Sequence, residues 1–488
     1  MMNKRFIILL FGVLGVLNMC TSSHVPKVGT SDVNQINILI DRGEYTAASK
    51  AIQEQLQRKD LSPSERDDYL FEIERMDRIR KDFTARYDDV YAFIQKYYRV
   101  VTESDMEEWE NSKALEVMLI DGEKLYFEHA ARNLFRIDST MEQIWNDQHP
   151  EEADKVGSGA RMDMDIHNAQ IIQSAVTTQK IYVEPKRLRI RQSIEVKPNE
   201  VPAGKLVRCW IPYPRQIEGR QEDITLIRST PMQHVIAPEK ALQRTIYMES
   251  PALADQPLTF TVEYEMTTHG VFHNIDAEAV TALDPTKNLG QYLGENPPHI
   301  VFTPELIDLS QRIVGEEKNP YRIAQKLFAW VDNNTPWASA REYSTIKCIP
   351  EYAFENGHGD CGIQTLLFMT LCRINGIPTR WQSGWELQPP HDSMHDWGNI
   401  YFEPYGWVPM DVTYGLRKSD DQQLHWFYLG GMDSYRIIFN DDYGQTFIPE
   451  KSHFRSETVD SQRGEVEWSG GNLYFDQWRW KFAWEILD

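Results

Sequence analysis

Hydrophobic residues recur at helical spacing over the first third of the chain and alternate with polar ones over the stretch that follows, which predicts two kinds of structure. From residue 31 to 178 the sequence is charged, poor in proline and sets apolar positions such as Ile36, Leu39 and Ile40 about one turn apart, so an all-α region is expected there. Between Ile181 and Thr268 come runs of β-branched and aromatic residues, Leu258-Thr259-Phe260-Thr261-Val262-Glu263-Tyr264 among them, separated by turns bearing Pro and Gly. An antiparallel β domain is predicted over 180–275. A loop rich in Gly, Asn and Pro runs from Asp284 to Pro298, and Thr303-Pro304-Glu305 then starts a helix: a capping hydroxyl, a proline at the first helical position, an acid near the positive end of the dipole. Helices should continue through Trp330. Beyond Phe439 the pattern alternates again, and Glu465 to Phe475 reads as two strands and a turn. This C-terminal β extension, 431–488, is expected to cover the unit before it.

Charge removes one class of partner. With 73 acidic against 51 basic residues the net charge is -22, which repels phosphate backbones, so no nucleic acid partner is expected. The first twenty residues read as a signal peptide: Lys4 and Arg5 precede an apolar run from Phe6 to Leu17, too short to span a bilayer comfortably. Leu17-Asn18-Met19-Cys20 followed by Thr21-Ser22-Ser23 resembles a bacterial lipoprotein signal, with Met19 where a small residue is usual. That resemblance implies lipidation at Cys20 and an exported protein held at the cell envelope, on the periplasmic or outer-membrane face, by its lipid anchor. The remaining cysteines, Cys209, Cys348, Cys361 and Cys372, lack the paired spacing of a zinc site, and no metal or cofactor is expected.

One of these thiols stands in a distinctive setting. Gly357-His358-Gly359-Asp360-Cys361 ends a polar loop, after which Ile363, Leu366, Leu367, Thr370, Leu371 and Ile374 fall on one helical face up to the exit signal Asn375-Gly376 with Pro378 beyond. A thiol at a helix N-terminus feels a partial positive charge that favours the thiolate, and the unpaired N–H groups there can receive an oxyanion. Downstream, His395 enters a strand that turns near Pro404-Tyr405-Gly406 and returns to Asp411. Both positions are odd, so they share a face; a register centred at 403 would set them opposite, and a wide turn or bulge is expected to absorb the difference from the visible turn. His358 and His391 are alternative bases, Cys372 suits a buried core thiol, and the prolines before His391 argue against a helical His391–His395 metal pair.

Gly359-Asp360-Cys361, Arg373 with Gly376-Ile377-Pro378-Thr379-Arg380, His395-Asp396-Trp397 and Trp407 through Asp411 resemble the transglutaminase-like superfamily. The resemblance implies a papain-like α+β catalytic domain over 300–430, and Val201 to Pro212 resembles the β sandwich that precedes such cores in bacteria. It also implies a nucleophile at Cys361, a base at His395, an orienting acid at Asp411 and an aromatic near the oxyanion or acyl channel at Trp337. The expected chemistry is acyl transfer on amide bonds through a thioester, ending in hydrolysis of a peptide or protein substrate. Protein-glutamine transamidation and a non-catalytic binding cleft are the alternatives. Hydrolysis is favoured on the expectation that His358, Asp360, His391, Asp392 and Asp396 make a wet site.

Overall fold

A computed structural model describes residues 30–149 and 162–487; the signal peptide and Cys20 lie outside the described residues. The chain divides into two compact units, Met1–Ile73 and Glu74–Asp488. In the first, the helices Thr30–Asp41 and Tyr45–Gln55 form a pair around a turn in which Gly43 takes a positive φ of 73°. Ile36, Ile40, Tyr45, Ala48 and Ile52 are buried at the expected helical spacing. Ser62 and Glu65 then form a reciprocal cap on the helix Pro63–Asp82, with Glu65 N donating to Ser62 Oγ and Ser62 N donating to Glu65 Oε2.

The second unit opens with the rest of the helical region, which is not wholly α. Strands β1 (Val117–Ile120) and β2 (Glu123–Tyr126) form a hairpin around Asp121-Gly122, both at positive φ. Asp-Gly is the usual pair for that turn, and a hairpin this short interrupts helical periodicity without cancelling it. The helices Tyr87–Tyr97, Ala130–Ile137 and Ser139–Gln148 meet around Phe93, Tyr97, Phe135 and Trp145.

Two antiparallel sheets follow. Strand β3 (Tyr182–Val196) pairs with β8 (Leu258–Phe272), which also pairs with β5 (Gln221–Thr230); β4 (Leu206–Pro212) pairs with β7 (Thr245–Pro251), which pairs with β6 (Val235–Ile236). Along β3 the residues Leu188, Ile190, Ile194 and Val196 point inward, opposite Met266, Tyr264, Phe260 and Leu258 of β8. They pack with Val207, Cys209, Ile211, Ile246 and Met248 of the other sheet, which is how two half-buried sheets bury their apolar faces.

The α+β core carries strands β9 (Thr379–Gln388), β10 (His391–Phe402) and β11 (Gly406–Met410). Short β12 (Gly431–Met432) joins β8, and β13 (Arg436–Asn440) completes a core sheet of order β11-β10-β9-β13. The helix Pro304–Val314 starts as expected, Thr303 Oγ1 accepting from Leu306 N at 3.3 Å. The helix Cys361–Ile374 is buried on every side from Gly362 to Arg373 against the helix Pro320–Asn334 and the sheet. Its end is fastened by Arg373, whose Nη2 donates to Thr379 O at 2.8 Å and whose Nη1 donates to Gly294 O at 2.9 Å.

The C-terminal segment differs from expectation. It packs on the core sheet but does not stand as a separate extension. β14 (Glu465–Trp468) pairs with β4 and with β15 (Gly471–Leu473), and β16 (Trp478–Leu487) pairs along β3, so the tail completes the two sheets of the sandwich. Its alternation has a physical use: Trp480 and Phe482 of β16 pack on Trp385 of β9, the Phe482 ring stacked at 3.9 Å. Among the described residues no helix is long and apolar enough to cross a membrane.

Candidate active site

Asp360 caps the helix that begins at Cys361, its Oδ1 accepting from Ile363 N at 3.1 Å and from the Tyr343 hydroxyl at 2.6 Å. A cap of this kind leaves the first N–H groups of the helix without intrahelical partners, beside a thiol that keeps some solvent exposure. Position 362 must be glycine. A Cβ there would stand 2.2 Å from the Tyr343 hydroxyl and 2.7 Å from Asp396 Oδ2.

His395 and Asp411 meet. His395 Nε2 lies 2.8 Å from Asp411 Oδ2, with His395 almost wholly buried and Asp411 completely so. The register explains the encounter without a bulge: Gly398 opposes Met410 and Phe402 opposes Gly406, so the next step sets Asp411 against Trp397. His395, two residues from Trp397, shares that face and reaches Asp411 diagonally. The ladder is thus centred at 404, between the two positions considered from sequence. Gly384 stands opposite His395 on β9, where a Cβ would fall 1.9 Å from Ile437 O of β13, so glycine is what lets the fourth strand approach.

Asp411 is well compensated. Its Oδ1 accepts from Thr413 N and Tyr414 N, and its Oδ2 also pairs with Arg436 Nη1 at 2.9 Å, Arg436 in turn donating through Nε to Asp433 at 2.8 Å. Burial works to raise this carboxyl, but the charges of His395 and Arg436 together overcome it and hold it below the usual carboxylate range. With Nε2 committed to Asp411, His395 Nδ1 has no hydrogen bond among the described residues.

The thiol differs from expectation. Cys361 is not hydrogen-bonded to His395; Sγ donates to Asp396 Oδ2 at 3.3 Å. Burial pushes this thiol well above its ordinary range, and the carboxyls of Asp396 and Asp360 push it further. The helix end and the imidazole expected to favour the thiolate are outweighed in this resting arrangement. Asp396 is itself pushed well up by burial and by Asp460, and Asp360 to about 6 by burial. The polar setting read as wet therefore divides. Asp396 is buried and Asp360 mostly so beneath the thiol, His358 is buried and pushed down to about 4 by burial, and exposed His391 and Asp392 stand at the far end of β10.

Trp337 lies beside the nucleophile loop, bridged to Gly359, with Ala338 N donating to Gly359 O at 3.0 Å. It is 41% exposed and lies under the Arg136 guanidinium at 4.6 Å. Cys372 is fully buried in the helix core, and Cys209 in the sandwich. His391 and His395 are separated along a strand, and among the described residues no group of three or more His, Cys, Asp or Glu could hold a metal ion.

Comparison with known proteins bears on this region. Residues 307–412, from the helix Pro304–Val314 to just past Asp411, match the family described as the transglutaminase-like superfamily. This segment is a transglutaminase-like domain. No curated protein matches the chain. Among solved structures, the chain is similar to a candidate cysteine protease from Cytophaga hutchinsonii, at 15% identity over 63% of this chain and 92% of that one, with a TM-score of 0.43. It is also similar to the periplasmic domain of TgpA from Pseudomonas aeruginosa, at 13% identity over 49% of this chain and 90% of that one, with a TM-score of 0.25.

Sequence reasoning around the transglutaminase-like motifs missed the partners that set the charge on each side of the site. Arg436, Asp460, Gln462 and Tyr343 all lie outside those motifs. Asp396 was read only as one of the polar residues expected to make the site wet, not as the partner of the thiol.

Proposed function

We propose that the protein is a cysteine-dependent amide hydrolase acting on a peptide or peptide-like substrate, with Cys361 as nucleophile, His395 as base and Asp411 as the acid that orients it. The observation that carries this reading is the 2.8 Å contact of His395 Nε2 with a buried, charge-compensated Asp411, which leaves Nδ1 for proton transfer at the helix that starts with Cys361. His395 takes the thiol proton, and sulfur attacks the amide carbonyl. The oxyanion is received by N–H groups at the helix start. His395 then protonates the departing amine, leaving a thioester on Cys361, and water releases the acid. Trp337 supports water as the acceptor, because an exposed aromatic beside the loop does not close over the acyl group. By the signal-like N-terminus, the enzyme works at the cell envelope, anchored through Cys20.

Partition of the acyl group tests the reading. The purified full chain, given a glutamine-bearing peptide and a millimolar primary amine, is expected to yield mainly free acid and ammonia, and Cys361→Ala to yield neither. Dominant amine incorporation that depends on Cys361 would make the activity transamidation.

A further inference from the structure

Beneath the thiol lies a group of carboxyls with no part in the scheme above. Asp396 Oδ2 accepts from Cys361 Sγ at 3.3 Å and Asp396 Oδ1 accepts from Gln462 Nε2 at 2.8 Å, while the carboxyl of Asp460 stands close enough to push Asp396 up by its charge. Two buried carboxyls this close repel each other as anions, which favours a single negative charge shared over the pair. Its geometry is fixed from several directions. Ser383, opposite Asp396 in the β9–β10 ladder, donates to Asp460 and accepts from Asn440 Nδ2 at 2.9 Å. Gln462 donates also to His395 O at 3.0 Å, so one side chain spans the backbone of the base and the carboxyl beside the nucleophile.

The groups facing Asp396 are mostly acids. The nucleophile helix and its cap present Cys361 and Asp360, and the short turn Tyr343–Thr345 presents Tyr343, whose hydroxyl stands 3.5 Å from Asp396 Oδ2 while donating to Asp360. The segment before β14 presents Asp460, with Arg455 and Arg463 acting on Asp460 from further out. Glu342 pairs with Arg463 at 3.2 Å, which takes up part of that positive charge. Among the described residues no cation pairs with Asp396 itself. A carboxyl placed this way attracts a proton-bearing thiol and repels a thiolate.

We propose that the Asp396–Asp460 pair is a latch for the nucleophile: at rest it holds Cys361 as a neutral thiol turned toward Asp396, and catalysis begins when that hydrogen bond breaks. The S–H bond then breaks with its proton passing to His395 Nδ1, forming a thiolate and an imidazolium, while the proton of the carboxyl pair stays where it is. This rests on the reading of Cys361 as nucleophile, and it makes Asp396 the residue that sets how readily the nucleophile ionises.

Alkylation by iodoacetamide, mapped cysteine by cysteine across pH, reads the thiol directly whether or not the protein cleaves amides. Asp396→Asn keeps the shape and removes the charge, so Cys361 should react about 10-fold faster at pH 7, its profile moving to lower pH. Asp460→Asn, away from the sulfur, removes one of the like charges that push Asp396 up, so Asp396 ionises more readily and the same reaction should slow. Asp396→Asn overlaying the wild-type profile, or both variants shifting it in one direction, would overturn the latch. A latch that behaves as stated in a protein with no Cys361-dependent turnover would sink the hydrolase reading alone. Cys361-dependent turnover with an unmoved alkylation profile would sink the latch alone.

Discussion

Asp396 and Asp411 lie on either side of the same strand pair, β10 and β11, are buried to nearly the same degree, and are held in opposite states. Asp411 meets an imidazole, a guanidinium and two backbone N–H groups, and lies below the usual carboxylate range. Asp396 meets a thiol, an amide and a second carboxyl, and is pushed well above it. Burial penalises both alike, so the difference comes from the partners. A buried acid is made into an orienting anion on one side of His395 and a proton-holding group on the other, without any difference in residue type.

Substitutions that leave shape intact test whether this division is functional. The largest effect should come from Asp411→Asn, which keeps a hydrogen-bond partner for His395 but removes the charge and permits the wrong tautomer; kcat is expected to fall by about 10³- to 10⁴-fold. Asp396→Asn should not approach that loss. Comparable collapse of kcat in the two variants, both folded by circular dichroism, would erase the comparison.

A smaller effect should appear in stability. Arg436→Met leaves Asp411 and Asp433 with an uncompensated buried charge and should cost about 3 to 5 kcal/mol in urea unfolding. A cost under about 1 kcal/mol would mean that the compensation inferred for Asp411 comes from elsewhere.

The smallest is a pH dependence from the cap. Burial pushes the Asp360 carboxyl up from its ordinary 3.8 to about 6, so between those limits the folded state binds the extra proton and stability falls as pH rises. The cost is absent below 3.8 and fully present above about 6. Asp360→Asn keeps the cap and removes the titration, so the variant should gain on wild type by roughly 2 to 3 kcal/mol between pH 4 and pH 7. A constant difference across that range would contradict the shift.

What could be read in advance follows from how local the cause is. The helix starts at Thr303 and Cys361 were legible because a cap and its helix adjoin in sequence. The shared face of His395 and Asp411 was legible from strand parity, although the ladder centre was not, since it depends on a turn held among its neighbours. The tail's strand partners were illegible for another reason. Alternation in Glu465–Trp468 and Trp478–Leu487 marks a strand and the face it buries, but nothing in it names β4 or β3, which lie far back in the chain. The Asp396–Asp460 contact was illegible for the same reason: Asp460 sits between strands, in a segment with no periodicity to place it.

The acyl-enzyme tests the account most directly. The full chain mixed with an unbiased peptide library and quenched in acid within the first turnovers should carry, by intact mass and peptide mapping, an acyl fragment on Cys361, with the complementary amine fragment free in solution. Cys361→Ala should carry none and release none. Amine fragments released equally by wild type and Cys361→Ala, or a library left intact by wild type, would contradict the assignment of Cys361 as the nucleophile of an amide hydrolase.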